Sequence, residues 1–101
     1  MAKKKNYDEF LKNELQDPEV AAEYLSASLE NGSVEEFLVA LRNVAEAHGG
    51  IGVLSNITHL NRQSMYKTLS EGGNPRLTNL MSILEAVGIN LKFEPREAAT
   101  E

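Results

Sequence analysis

The chain has 101 residues, with 15 acidic against 10 basic groups, a formal net charge of −5, 42% apolar residues and no cysteine. A chain this short has room for one hydrophobic core and no separate catalytic lobe. The lack of cysteine excludes disulfides, thiolate zinc sites and cysteine nucleophiles, and a reducing cytoplasm is the expected location. No run approaches the roughly 18–20 apolar residues of a bilayer span, and Met1-Ala2-Lys3-Lys4-Lys5-Asn6 leads into Tyr7-Asp8-Glu9-Phe10 without a secretory apolar stretch. Neither membrane insertion nor export is expected.

The acidity is uneven. Residues 1–50 carry ten acidic groups against Lys3, Lys4, Lys5, Lys12 and Arg42, a net of −5, whereas residues 51–93 carry Arg62, Lys67, Arg76 and Lys92 against Glu71 and Glu85, a net of +2. The last eight residues return to −2. A phosphate backbone senses the local field within a Debye length of about 8–10 Å, so an acidic chain with a mildly basic segment can still meet nucleic acid. The acidic half then has to face elsewhere.

In chain order, Tyr7 to Leu15 forms a weakly patterned first helix. Asp17-Pro18-Glu19 places an N-cap carboxylate before a proline at the first helical position, and Val20, Ala21, Tyr24, Leu25, Ser28 and Leu29 keep one face until Asn31-Gly32. Ser33-Val34-Glu35-Glu36 reads as a capping box, with Ser33 accepting from the backbone and Glu36 reaching back. The helix that follows has the strongest period in the sequence: Val34, Phe37, Leu38, Leu41, Val44 and Ala45 recur at three- and four-residue steps before Gly49-Gly50.

Two short helices are expected next, Ile51 to Ile57 and Arg62 to Ser70, around the turn Thr58-His59-Leu60-Asn61. Asn61 is placed to cap the second, which would bury Met65, Thr68 and Leu69 and leave Arg62, Gln63, Tyr66 and Lys67 outward. Gly72-Gly73-Asn74-Pro75 ends it, and a further helix uses Leu77, Leu80, Met81, Leu84 and Val87, with Gly88 after its end. Ile89-Asn90-Leu91-Lys92-Phe93-Glu94 alternates apolar and polar before Pro95, the pattern of a short strand. Such a strand needs a partner, either the N-terminal segment or its twin in a homodimer.

Two short helices around a tight turn, the second with polar residues at its start, form the helix-turn-helix arrangement, whose second helix enters the major groove. Arg62 suits guanine O6 and N7, Gln63 suits adenine N6 and N7, and Ser64, Tyr66 and Lys67 suit phosphates or thymine methyls. The same pattern fits the solvated face of an ordinary helical bundle. His48 and His59, eleven positions apart with no cysteine, lack the spacing of a metal site, and His48 reads as a helix C-terminal residue. Glu35 and Glu36 do not face each other on a helix, and there is neither a nucleophile elbow nor a phosphate-cradling loop, so no enzyme activity, cofactor or metal is expected. Lys3-Lys4-Lys5 is either an arm along DNA phosphates or a solvated start.

The runs Gly50-Ile51-Gly52-Val53-Leu54-Ser55, Asn61-Arg62-Gln63-Ser64-Met65-Tyr66-Lys67-Thr68-Leu69-Ser70, Gly72-Gly73-Asn74-Pro75 and Leu84-Glu85-Ala86-Val87-Gly88-Ile89-Asn90-Leu91 resemble the addiction-module antidote (antitoxin) proteins of the lambda-repressor-like, Cro/C1-type class. Upstream, Tyr24-Leu25, Leu29-Glu30, Phe37-Leu38 and Ala40-Leu41 fall where that family has its leading helices, so the likeness spans roughly residues 17–92. The resemblance implies a small helical dimer that neutralises a cognate toxin, often a ribosome-dependent RNase of the RelE-like class, and represses its own operon. It places the recognition-helix surface at Asn61, Arg62, Gln63, Tyr66 and Lys67, to which the contact chemistry adds Ser64, with Asn74, Arg76 and Thr78 at phosphate positions before and within the next helix. The chain departs from the family pattern in having His59 where glycine is usual in the turn and Ser55 where alanine is frequent. His59 would then sit at positive φ, uncommon for a residue with a side chain.

The expected fold is therefore all-α: a lambda-repressor-like five-helix domain over residues 17–94, an acidic helical N-terminal extension over 1–16, partly flexible, one short C-terminal strand and a flexible tail over 95–101. The expected partners are double-stranded operator DNA, a cognate toxin and a second copy of the chain, with no membrane. A Cro/C1-type regulator without a toxin, or a helical protein-interaction module, are the alternatives that the residues leave open.

Overall fold

The computed structural model describes residues 2–96, with side chains from Asn6 onward. The side chains of Lys3, Lys4 and Lys5, and residues 97–101 of the expected tail, lie outside the described residues. Six helices follow one another: α1 (Ala2–Glu14), α2 (Pro18–Glu30), α3 (Val34–Ala47), α4 (Gly50–Thr58), α5 (Arg62–Thr68) and α6 (Leu77–Ala86). None of the described helices is long and apolar enough to cross a membrane.

Local chemistry sets the helix starts. Asp17 accepts the Glu19 amide at 2.9 Å with Pro18 in the first turn, and Ser33 Oγ accepts the Glu36 amide at 3.1 Å, the Ser33 half of the expected capping box. Between α3 and α4, Gly49 and Gly50 take φ of 106° and 91°, a conformation that residues with a Cβ rarely adopt. That turn lets α4 fold back onto α3 immediately after His48.

Helix α3 is the hub, buried along Leu38, Leu41, Val44 and Ala45, and it packs against α1, α2 and α4. Helix α1 docks through half-buried Leu11, Leu15 just past its end is fully buried, and the His48 ring donates from Nε2 to the Leu15 carbonyl at 3.0 Å. Asn43 donates to the Tyr24 hydroxyl at 2.8 Å, joining α3 to α2. Helix α4 in turn packs against α5 and α6, burying Ile51 and Leu54 with Met65, Leu69, Ile83, Leu84 and Val87 in one continuous core. Nothing charged or polar is buried among the described residues.

The C-terminal strand expected at Ile89 to Glu94 does not form. Among the described residues all regular structure is helical, and residues 89–96 are irregular. Alternation describes the two sides of an extended segment, but a strand also needs a neighbour for its amides and carbonyls, and among the described residues none pairs with it. The first residue is instead committed to the helix end. Gly88, at φ 81°, donates to Glu85 O at 3.0 Å and Ile89 donates to Leu84 O at 2.9 Å, the paired bonds of a Schellman motif. Ile89 packs on the core, whereas Leu91 and Phe93 are exposed.

The α5–α6 connection is held by Gly73, whose amide donates to Ser70 O at 3.0 Å and whose Cα lies so close to the Thr68 carbonyl that a Cβ there would collide with it. A Cβ at Gly72 would meet nothing within 4 Å. Gly73→Ala should therefore destabilise the protein by about 2 kcal/mol or more, while Gly72→Ala should be neutral or stabilise by about 0.5 kcal/mol through the unfolded chain. Urea unfolding of the two variants checks the contrast, and equal midpoints would refute it.

Candidate nucleic-acid interface

The candidate interface is built on α4, α5 and the three residues between them. Helix α4 ends at His59, whose φ of 62° and ψ of 23° make it the one described residue other than glycine at positive φ. A left-handed conformation, which glycine adopts without steric cost, is thus imposed on a histidine. Thr58 braces the turn, its hydroxyl donating to Leu54 O at 2.7 Å and accepting from the Leu60 amide at 3.3 Å. Leu60 packs on the core, and Asn61 Oδ1 accepts the Ser64 amide at 3.0 Å, capping α5.

On α5, Met65 is 2% exposed and Leu69 following it is 0% exposed, and this pair fixes the rotation of the helix. Arg62, Gln63, Ser64, Tyr66 and Lys67 are consequently exposed, as is Asn61. They do not form one row. Arg62 and Tyr66 line a groove with Glu46, Gly49, Gly52, Ser55 and Asn56, on the side of α3 and α4. Asn61 and Ser64 line another with Leu60, Thr68 and Asn79, on the side of α6. Gln63 and Lys67, one turn apart, form the crest between them.

The Arg62 guanidinium folds back over α4, where a Cβ at Gly52 would stand 3.4 Å from its Cζ. A glycine inside a helix costs about 1 kcal/mol relative to alanine; here it leaves room for that side chain. Arg42 Cζ lies 5.4 Å from the centroid of the Tyr66 ring, a cation–π contact between α3 and α5. Sequence reasoning did not include Arg42 in the surface. It is the only cation of α3, which is a signal, but its partner is 24 residues away in the chain.

Asn74, Arg76 and Thr78 are exposed on the connection after α5 and the first turn of α6, joined to the end of α5 through Gly73. Arg76 occupies the N-cap position of α6, where no side chain bonds to the first amides. Among the described residues there is no group of three or more histidine, aspartate or glutamate side chains that could hold a metal ion.

The fold and this surface define a class: a small all-helical protein with a set of exposed polar and aromatic side chains on a short helix. The chain belongs to the family described as "probable addiction module antidote protein", whose model matches residues 4–95. A relative from Haemophilus influenzae, described as an uncharacterized protein, is 29% identical over 75 residues, which is 74% of this chain and 74% of the relative. No solved structure matches the chain. Membership in an antidote family makes the protein an antitoxin of a toxin–antitoxin module, with a cognate toxin as partner, and members of such families are typically non-enzymatic.

The turn can be tested without any ligand. His59→Gly should relieve the left-handed strain and raise stability by about 1 kcal/mol, whereas Asn61→Ala should remove the cap and lower it by about 1 kcal/mol. Chemical denaturation monitored by circular dichroism reads both, and opposite signs are required.

Proposed function

We propose that the protein is an autoregulating antitoxin: α4, the turn and α5 act as a Cro/C1-type helix-turn-helix on operator DNA, and the protein also neutralises a RelE-like, RNA-cutting toxin. The observation that carries the DNA reading is the burial of Met65 and Leu69, which leaves Gln63 and Lys67 on the crest of α5 with Arg62 and Tyr66 on one flank and Asn61 and Ser64 on the other. A helix so rotated, entering the major groove, presents a guanidinium and a carboxamide to base edges and an ammonium and hydroxyls to the backbone. Arg62 leaves its position over Gly52 to reach a base, while Arg42 steadies the Tyr66 ring from behind. Arg76 and the uncapped first amides of α6 suit a phosphate, with Asn74 and Thr78 beside them.

One such surface of modest charge binds weakly. A homodimer places two α5 helices in half-sites about one helical turn apart, roughly 34 Å, and multiplies the phosphate contacts. The outer side of α6, with Leu77 60% and Met81 49% exposed, is the apolar area available for a twofold contact. A palindromic operator follows from that symmetry.

Arg62→Ala should weaken operator binding by about 1–3 kcal/mol and relax preference at one base pair, whereas Lys67→Ala should weaken binding to all sequences alike and flatten the salt dependence. Footprinting on the region upstream of the gene, followed by titrations with permuted sites, measures both. Absence of any protected stretch, or equal tolerance of all sequences by the unmodified protein, refutes the reading.

A further inference from the structure

Two pairs of side chains face each other across the boundary between α3 and α5. Arg42 and Glu46 stand one turn apart on α3, both half-buried, and Arg62 and Tyr66 stand one turn apart on α5. Arg42 meets the Tyr66 ring, its Cζ 5.4 Å from the centroid, and Glu46 lines the same groove as Arg62. Among the described residues, Glu46 and Arg62 are the two charged side chains lining that groove, and their signs are opposite. Glu46 Oε1 lies 3.6 Å from where a Cβ on Gly50 would stand, at the first residue of α4. Two residues along, Cζ, Nη2 and Nε of Arg62 lie 3.4, 3.5 and 3.7 Å from the corresponding point on Gly52. Glycine at 52 thus leaves an open stretch of backbone as a seat for a planar cation, and the carboxylate supplies an attraction that favours it there.

A guanidinium folded back over α4 is not also available to the O6 and N7 of a guanine. The seated and extended positions are two states of one side chain, and base reading draws on the second alone. Affinity for a site read by Arg62 is then scaled by the fraction of molecules in which that side chain is extended. We infer that Glu46 is a positioning residue, which holds Arg62 seated over Gly52 in the free protein and so competes with DNA for it. The inference rests on the DNA-binding reading above and adds to it a control on the residue that reads. Where a site offers Arg62 a pair of acceptors, the lost contact is replaced; where it does not, the side chain stays seated and adds nothing to binding.

The test uses the full chain, first alone and then with the operator defined by footprinting. In nuclear magnetic resonance spectra of the free protein, the Arg62 Nε–H should show cross-peaks to the Gly52 Hα protons, and Glu46→Gln, which keeps the size of the side chain, should remove most of that intensity. Glu46→Gln should also raise operator affinity by about threefold or more, and the gain should largely disappear when Arg62 is already replaced by alanine. Its helical spectrum should be unchanged, since Glu46 lies outside the buried core. An equal gain with and without Arg62 overturns the inference and leaves Glu46 as a general repulsive charge. Loss of the gain in an Arg42→Met background, with the gain intact in Arg62→Ala, assigns the carboxylate to its neighbour on α3 and overturns it as well. Absence of the cross-peaks in the unmodified protein refutes the seat without any DNA. If they are present and depend on Glu46 while no DNA is bound, the DNA reading fails and the seat stands, an outcome distinct from the other three.

Discussion

Helix α5 is seven residues long, and isolated helices shorter than about 12–15 residues are marginal in water. Its existence depends on the burial of Met65 and Leu69 in the core shared with α4 and α6. Because the same two side chains hold the helix in place and fix its rotation, the choice of which residues face outward is not independent of stability. Helices α4 and α6, of nine and ten residues, are bound by the same condition through Ile51 and Leu54 on one and Ile83 and Leu84 on the other. The surface made by Arg62, Gln63, Tyr66 and Lys67 is thus the outer side of a cooperative unit, not a patch added to a finished fold.

What the sequence discloses is largely what is local. The caps at Asp17, Ser33 and Asn61 are contacts across two or three residues, so their chemistry is visible in the chain itself. The outward set on α5 follows from the helical period around Met65 and Leu69. The left-handed turn at His59 is an expectation drawn from the resemblance, not from a local pattern around that residue. Contacts across long separations leave little trace: His48 with Leu15 spans 33 positions, and Arg42 with Tyr66 is a meeting of α3 with α5. The division of the α5 surface between two grooves depends on where α3, α4 and α6 lie, which no period within α5 records.

The segment after Gly88 shows the opposite error. Its alternation is genuine, but alternation specifies sides and not a neighbour, and the helix-ending bonds of Gly88 and Ile89 take the first of these residues into the end of α6. A similar distinction applies to α1. Its apolar period is faint because, among the described side chains, Leu11 and the Leu15 that follows the helix face inward, while Tyr7 and Phe10, which obscure the pattern, are exposed. Residues that spoil an amphipathic reading are in this case the ones with chemistry to spare.

The separation of charge along the chain has a mechanical consequence. Residues 1–50, which hold α1 to α3, carry ten acidic against five basic groups, while residues 51–93 carry Arg62, Lys67, Arg76 and Lys92 against Glu71 and Glu85. Such a molecule combines a net negative charge with an uneven distribution of it along the chain, and in the field of a polyanion an approach by the mildly basic segment is favoured over one by the acidic half. Rotation turns the acidic helices outward and the cationic end inward, so that collisions which would otherwise sample all attitudes are biased toward one. Salt weakens that alignment along with the attraction, which ties the frequency of productive encounters to ionic strength more steeply than the handful of cations alone would do.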